Sequence, residues 1–229
     1  MTRFLSALID AVLPRSCLGC QRPDVAVCAT CWAAVAQPRA FRPDPCPPGL
    51  PPTFVAGEYD GVLRTAVLAA KERGRSDLLP LLAAALTGAV ANVAPGAGAV
   101  LLVPVPSTPA AVRRRGGDHM RALARRTALE LQHAGRPAAV VPALRLVRTP
   151  LDSAGLTAAE RARNLDGVFA ADVDVARLAA GARLVLVDDV VTTGTTLTQA
   201  ARALRACGVR VSAAAVAGTA RWHRDRLSR

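Results

Sequence analysis

Two adjacent carboxylates, Asp188 and Asp189, follow an aliphatic run at 184–187 and precede a loop of small hydroxyl residues at 192–196. The short, continuous aliphatic run is typical of a buried strand in a parallel sheet. After the loop, residues 197–207 have helical periodicity. At the carboxyl end of such a strand, the turn into a helix offers backbone N–H groups and a helix dipole to a phosphate. Beside two acids, which bind ribose hydroxyls, this arrangement suits a sugar phosphate.

The thirteen residues 184–196 resemble the signature with which type I phosphoribosyltransferases bind phosphoribosyl pyrophosphate (PRPP). An acid pair or a Thr-Thr-Gly-Thr loop alone is a weak signal, whereas strand, acids and loop in register are specific. The alternative is an ordinary turn between strand and helix, with a threonine cap and two surface acids. Because a plain turn does not need two acids directly after a buried strand, we favour a ligand site with exposed acids at the end of the strand.

Four of the six cysteines are paired at the spacing of a metal-binding finger: Cys17, Cys20, Cys28 and Cys31. Each Cys-x2-Cys pair puts two thiolates on one tight turn, and two such turns complete a tetrahedral zinc site. Disulfides are disfavoured in a reducing cytosol, which favours structural Zn²⁺ over the alternatives of an unmetallated finger or a redox centre. A closed site with four thiolates is expected to serve folding rather than catalysis.

The length and composition predict one α/β domain with an aliphatic core and a small appendage. The chain has 229 residues, of which 52% are hydrophobic and only 3% aromatic. We divide it into an amphipathic helix at 1–14, a four-cysteine finger at 15–42, a Pro-rich linker at 43–52 and a phosphoribosyltransferase domain at 53–229. The amphipathic helix packs on the main domain, or else contacts a partner or a membrane.

The main domain alternates strand and helix patterns, which predicts a mostly parallel twisted sheet flanked by helices. The predicted strands lie at 54–59, 100–103, 138–141, 184–187 and 209–217. The predicted helices lie at 62–70, 78–93, from after residue 119 to about 133, and at 197–207, with a helical turn at 157–164. Between the second strand and the third helix, residues 113–119 are predicted to form a basic loop.

The net charge of +12 and the isoelectric point near 11.1 favour anionic partners. Arginines are scattered along the chain, with one dense run at 113–115. That run is either a solvated basic surface or a nucleic-acid contact. With one Tyr and four Phe, an RNA-binding module built on aromatic stacking is not expected.

No apolar run reaches the roughly 18 residues that a membrane-spanning helix requires. Residues 3–13 superficially resemble a signal peptide, but Asp10 interrupts the apolar run and no small-residue cleavage site follows. We therefore expect a cytoplasmic protein without a transmembrane segment.

Taken in order, these motifs resemble the ComF family, phosphoribosyltransferase-like proteins linked to bacterial competence. The resemblance covers nearly the whole chain. It includes the cysteine finger, the Lys71 segment at 68–74, Val-Pro-Val-Pro at 103–106, the Arg-Gly-Gly-Asp-His run at 115–119, residues 156–169 and the PRPP signature.

The chain departs from the family pattern at a few positions. Gly117 stands where the family has an aromatic residue, and Asp118-His119 stands where it has Asn-Gln. Asp152-Ser153 replaces a common Gln, and Cys46 with Gly49 replaces a second cysteine knuckle. We expect these departures to affect the choice of acceptor base or of partner more than the binding of PRPP.

The resemblance implies a role for each motif. Asp188 and Asp189 would take the ribose hydroxyls, directly or through Mg²⁺. The 5′-phosphate would be held by Thr192, Thr193, Gly194, Thr195 and Thr196. The turn after Val103, with Val105, would face pyrophosphate, unless it is only the end of a strand. Lys71, the only lysine of the chain, would also bind PRPP, unless it is retained by chance.

The run 113–119 would form a mobile lid in which Arg113 and Arg115 neutralise pyrophosphate. The alternatives are a solvated basic loop and a nucleic-acid contact. Arg161 and Asn164 are expected to be structural or to belong to a hood over the site. His119 is the only candidate general base by position.

Two classes of function follow. The first is a phosphoribosyltransferase in which a nitrogen acceptor displaces pyrophosphate from C1 of PRPP, with Mg²⁺ and basic side chains stabilising the leaving group. The second is a non-catalytic adaptor of the natural transformation machinery that binds PRPP or nucleic acid. Expected partners are PRPP or a related sugar phosphate, single-stranded DNA and competence proteins.

Overall fold

The computed structural model describes residues 16–150, 158–172 and 174–219, which form an α/β fold. The strands are β1 (Arg39–Phe41), β2 (Thr53–Val55), β3 (Val100–Pro104), β4 (Ala138–Val140), β5 (Leu144–Leu146), β6 (Phe169–Ala171), β7 (Arg183–Val191) and β8 (Val211–Thr219). The helices are α1 (Ala29–Val35), α2 (Gly61–Glu72), α3 (Leu79–Val93), α4 (Pro109–Arg115), α5 (His119–His133), α6 (Ala158–Leu165), α7 (Val175–Leu178) and α8 (Thr195–Ala206). The predicted helix at 1–14 lies outside the described residues.

One sheet of six strands organises the fold, in the order β1-β2-β8-β7-β3-β4. All neighbouring strands are parallel except β1 and β2, which are antiparallel. The predicted mostly parallel sheet is confirmed. Strands β5 and β6 form a separate antiparallel pair, which the sequence patterns did not predict.

Strand β7 is buried on both faces, as its aliphatic run predicts. Leu184 and Leu186 face a cluster that includes residues of α8, whereas Val185 and Val187 face the cluster formed with α2, α3 and α5. All four side chains are fully buried. A strand between two layers of helices cannot alternate apolar and polar residues, because both of its faces lie in a core.

The most apolar helix belongs to this core. Among the described residues, the segment Ser76–Val93 is long and apolar enough to cross a membrane by length and composition, with a mean hydropathy of 1.4. Helix α3 packs against α5, β8 and β2, and Leu82, Leu86 and Val90 along one face are fully buried. We therefore interpret it as a core helix of the α/β fold.

The prediction of a basic loop at 113–119 is wrong for its first part. Thr108 caps α4 by accepting a hydrogen bond from the N–H of Ala111, and proline is the first helical residue. The helix ends at Gly116 in a left-handed conformation, and the N–H of Gly117 donates to the carbonyl of Val112. The arginines at 113–115 are therefore its last turn. In the sequence, Thr108-Pro109 indicates where this helix begins and Gly116-Gly117 where it ends.

The predicted finger at 15–42 also supplies a strand to the main sheet. Within that range, β1 pairs with β2 through three residues on each side. The segment that connects them is the predicted Pro-rich linker at 43–52, so this linker joins two neighbouring strands.

Replacing the fully buried Leu86 with Ala should lower the free energy of unfolding by about 2–5 kcal/mol, because it leaves a cavity between α3 and the sheet. Replacing Leu129 with Ala is the matched control. Leu129 lies on α5 and is 45% exposed, so its change should stay within about 0.5 kcal/mol. Urea unfolding of both variants measures the difference, and equal losses would contradict the core described above.

Candidate functional site

The acid pair lies within strand β7 and is buried, which corrects the expectation of exposed acids after a strand ending at 187. Asp188 and Asp189 are 9% and 6% exposed. The strand continues because Val190 and Val191 remain in register with β8. The two carboxylates are therefore held by a central strand of the sheet and not by a loop.

The pleat of the strand separates the two acids, because successive residues point to opposite faces. Asp188 lines a small pocket together with the threonine loop at 192–196. Asp189 Oδ2 lies 2.5 Å from Lys71 Nζ at the end of α2. One acid thus faces the predicted phosphate loop, and the other faces a cation.

Burial raises the pKa of Asp188 to about 7, and the charge of Asp189 adds to this rise. The N–H of Asp189 opposes it by donating to Asp188 Oδ1 at 2.9 Å, and so does the charge of Lys71. For Lys71, burial lowers the pKa, but the charge and hydrogen bond of Asp189 outweigh it and the pKa is raised. Lys71 is therefore cationic at neutral pH, whereas the pKa of Asp188 lies close to neutral pH.

The threonine loop turns the N-terminus of α8 toward the pocket. Gly194 is the N-cap, has φ +76° and offers no capping side chain to the first turn. Thr193 Oγ1 and Thr195 Oγ1 lie 2.8 Å apart, and Thr198 Oγ1 donates to the carbonyl of Gly194. A helix start of this kind presents backbone N–H groups and a positive dipole end, which suits an anion.

The Pro-rich segment at 43–52 packs on this loop. A Cβ atom at Gly194 would lie 3.0 Å from Leu50 Cδ1, so the glycine is required both by its φ and by this contact. At the other end of α8, Arg205 Nη1 donates to the carbonyl of Gly49 at 2.6 Å. The predicted linker therefore packs along α8, with contacts near both ends of that helix.

A basic groove of about 370 Å³ adjoins the other side of the acid pair. Side chains of α2, α4 and α5 and the first residue of α3 line this groove; they include Lys71, Arg115, His119, Arg121 and Arg125 beside Ala70, Leu79 and Ala122.

The predicted lid residues differ in their relation to this groove. Arg115 lines it and donates to Glu72 Oε1 at 2.7 Å, and its side chain is only 12% exposed. Arg113 is exposed on the last turn of α4 and is not among the lining residues. Its predicted contact with a ligand stays a prediction.

Val105 directly follows the last residue of β3. It is buried, and its N–H donates to the carbonyl of Val187 at 2.9 Å, which extends the ladder between β3 and β7. Its N–H group is therefore bonded within the protein, and its predicted contact with pyrophosphate stays a prediction.

Two side chains near the acid pair were not predicted. Burial raises the pKa of Tyr59, and the charge of Asp189 adds to it, so the phenol lies in the field of the acid pair. Glu72 accepts from both Arg114 and Arg115, and although burial raises its pKa, these arginines lower it overall. The one sequence feature that could have indicated a role for Glu72 is its position next to Lys71.

The four finger cysteines meet as predicted. Their Sγ atoms all lie within 4.8 Å of one another, and Cys20 Sγ is 3.7 Å from Cys28 Sγ. Tetrahedral coordination with metal–sulfur bonds of about 2.3 Å requires sulfurs about 3.8 Å apart, so these donors could hold a metal.

Hydrogen bonds prepare one of these sulfurs for a metal. The N–H groups of Gly19 and Cys28 donate to Cys17 Sγ, and backbone hydrogen bonds, the strongest from Cys20, lower the pKa of Cys17 to about 6. A thiolate at neutral pH is the form that binds metal. The knuckle packs on α2, since a Cβ atom at Gly19 would lie 2.8 Å from Val62 Cγ2.

Replacing Asp188 with Asn should stabilise the fold more at pH 8 than at pH 5. The pKa of Asp188 is raised to about 7 in the folded protein, against about 3.9 in an unfolded chain, so folding takes up a proton. The contribution of the carboxyl is thus most favourable below about pH 4 and is lost as the pH rises through 7. Melting temperatures of the variant and the unchanged protein at both pH values measure this effect.

The control is Asp174→Asn, since Asp174 is exposed. Its effect on the melting temperature should be the same at pH 5 and pH 8. If Asp188→Asn changes the melting temperature equally at the two pH values, burial does not raise the pKa of Asp188 as described.

Comparison with known families extends the description of the fold. Residues 144–227 match the family model of the phosphoribosyl transferase domain. No curated protein matches the sequence. The matched segment contains the acid pair, the threonine loop and α8, and it does not include the finger. The chain therefore combines a phosphoribosyltransferase-type α/β fold with an N-terminal cluster of four cysteines, while the narrower assignment to the ComF family stays a prediction.

Proposed function

We propose that the protein binds PRPP together with Mg²⁺ at the acid pair and the threonine loop, as a ComF-like protein with a phosphoribosyltransferase fold. One observation carries the proposal: the N-terminus of α8 and the buried carboxylate of Asp188 share one pocket, inside the segment that matches the phosphoribosyl transferase domain. An anion-binding helix start next to an acid suits the phosphate and hydroxyl groups of a ribose 5-phosphate.

The charges around the acid pair fit this ligand. The threonine loop holds the 5′-phosphate, Asp188 and Asp189 take ribose hydroxyls, and Lys71 with Arg115 faces the pyrophosphate end. The carboxylate oxygens of the two aspartates are hard donors of the kind that Mg²⁺ prefers. When bound, Mg²⁺ supplies positive charge that offsets the phosphates of the ligand.

If the protein turns over, a nitrogen acceptor forms a bond to C1 of the ribose while the bond from C1 to the pyrophosphate oxygen breaks. The electron pair of that bond leaves with pyrophosphate, and Lys71 and Arg115 stabilise the added charge. His119 is the candidate to receive the proton of the acceptor, because burial lowers its pKa and keeps it neutral. A pyrophosphate-release assay with a panel of bases tests turnover against a non-catalytic adaptor.

The ComF resemblance and the charge of +12 also support the finer proposals on partners and location. These are a cytoplasmic location, a role in DNA uptake and binding of single-stranded DNA or competence proteins. The arginine run offers limited support for a DNA contact, since Arg114 and Arg115 already pair with Glu72.

We further propose that the four finger cysteines bind one structural Zn²⁺. Four convergent sulfurs without an open position are typical of sites that stabilise a fold. Because the knuckle packs on α2, the ion would also stabilise the helix that carries Lys71.

Changing both Asp188 and Asp189 to Asn should lower PRPP affinity at least about tenfold in the presence of Mg²⁺. The change keeps the shape of the side chains but removes charge-assisted hydrogen bonds, each of which contributes about 1.5–3 kcal/mol. Calorimetric titration measures the affinity, circular dichroism verifies the fold, and Asp174→Asn is the matched control. Equal affinities, or no binding by the unchanged protein, would favour the adaptor.

Purified protein should contain close to one zinc per chain by elemental analysis, and the ion should be lost when Cys28 and Cys31 are changed to Ser. Cys207→Ser, outside the finger, should retain it. Fully folded protein without zinc would rule out the structural role.

A further inference from the structure

The threonine loop at 192–196 begins α8 without the side-chain cap that often stabilises the start of a helix. Gly194 is the N-cap, and it has no side chain that could accept a hydrogen bond from the first turn. An uncapped helix start is less stable, because a cap would otherwise hold its first N–H groups. The loop therefore needs a different source of order when no ligand is bound.

The Pro-rich segment at 43–52 packs on Gly194 from outside the pocket. A Cβ atom at Gly194 would lie 3.0 Å from Leu50 Cδ1 and 3.6 Å from Pro43 Cγ. Leu50 is half-buried and packs against the apolar cluster that includes Leu197 in the first turn of α8. Neither Leu50 nor Pro43 lines the pocket at the threonine loop. Leu50 is thus in contact with the loop and not with a ligand in that pocket.

Contacts at both of its ends hold the Pro-rich segment in place. It connects β1 with β2, which pair in the sheet, and Thr53 Oγ1 of β2 donates to the carbonyl of Pro51 at 2.8 Å. Six of its ten residues are proline, which restricts its backbone. Arg205, in the last turn of α8, donates to the carbonyl of Gly49. The residue before Leu50 is therefore bonded to the far end of the helix whose start Leu50 contacts.

We propose that Leu50 is a positioning residue for the anion-binding loop. By packing on Gly194, it keeps the backbone of the threonine loop in the form that receives the 5′-phosphate before the ligand binds. Without this contact the loop samples other conformations, and the apparent affinity falls with the fraction of molecules that keep the binding form. The effect on affinity rests on the proposed function, whereas the effect on the order of the unliganded loop does not.

Replacing Leu50 with Ala removes the contact and should lower the affinity for ribose 5-phosphate about tenfold, which corresponds to one molecule in ten with the binding form. Leu50→Met has a similar volume and should restore the affinity to within about threefold. Calorimetric titration measures both variants. Leu178→Ala is the matched control, because Leu178 is 55% exposed on α7, and its affinity should not change. Equal affinities of Leu50→Ala and the unchanged protein would refute the inference.

A variant in the core separates positioning from a general loss of stability. Leu86→Ala opens a cavity in the cluster on the opposite face of β7. Below its melting temperature it should bind ribose 5-phosphate like the unchanged protein. If Leu86→Ala weakens binding as much as Leu50→Ala does, the loss does not depend on the contact with Gly194 and the inference is refuted.

A second pair of variants tests the segment without a change at Leu50. Arg205→Met removes the donor to Gly49 and should lower the affinity for ribose 5-phosphate about threefold, although Arg205 lies at the other end of α8 from the loop. Arg202→Met removes the same charge from the same helix, where Arg202 pairs with Asp166, and should leave the affinity unchanged. An equal loss in both variants would refute the role of the segment.

Hydrogen exchange in the unliganded protein tests the order of the loop directly. Leu50→Ala should speed amide exchange at 193–198 at least about fivefold and leave exchange in α3 unchanged, whereas Leu50→Met should affect neither. Unchanged exchange at 193–198 in Leu50→Ala would refute the inference. If the unchanged protein binds no ribose 5-phosphate, the proposed function fails, and the exchange result alone decides the role of Leu50.

Discussion

The contact between Lys71 and Asp189 is the interaction on which the arrangement of the site depends. It joins the end of α2 to the central strand β7 across the sequence, at 2.5 Å. Burial in this strand raises the pKa of Asp188, and the charge of the neighbouring Asp189 adds to this rise. Lys71 pairs with Asp189 there, and removal of Lys71 would leave this buried carboxyl group without its cationic partner.

The pleat of β7 allows the two acids to serve different surfaces. Asp188 faces the threonine loop, and Asp189 faces Lys71, which in turn lines the basic groove. An anion-binding helix start and a cationic groove therefore lie on either side of one acid pair. This order of charges, positive, negative, positive, is the basis on which we propose PRPP as the ligand.

The segments before the main domain are connected to the same site. Leu50 of the Pro-rich segment packs on Gly194 at the start of α8, and Gly19 of the cysteine knuckle packs on Val62 in the first turn of α2. The threonine loop and the helix that carries Lys71 are thus each contacted by a different part of the N-terminal region. Metal binding at the finger would stabilise α2 by this contact.

The sequence by itself determined the features that depend on neighbouring residues. The parallel strand at 184–187, the helix after the threonine loop and the convergence of Cys17, Cys20, Cys28 and Cys31 all follow from local periodicity or spacing, and all are confirmed. Only the tertiary structure decided that the acids are buried, because the strand continues through Val191 in register with β8.

Contacts between distant segments were likewise decided by tertiary structure. Lys71 meets Asp189, β1 joins the main sheet and Leu50 covers Gly194 across long stretches of chain. Local patterns contain no information on such pairings, since they arise from the packing of whole elements. The sequence therefore specified which groups are present, and the packing of α2, α5 and α8 on the sheet decided which of them meet.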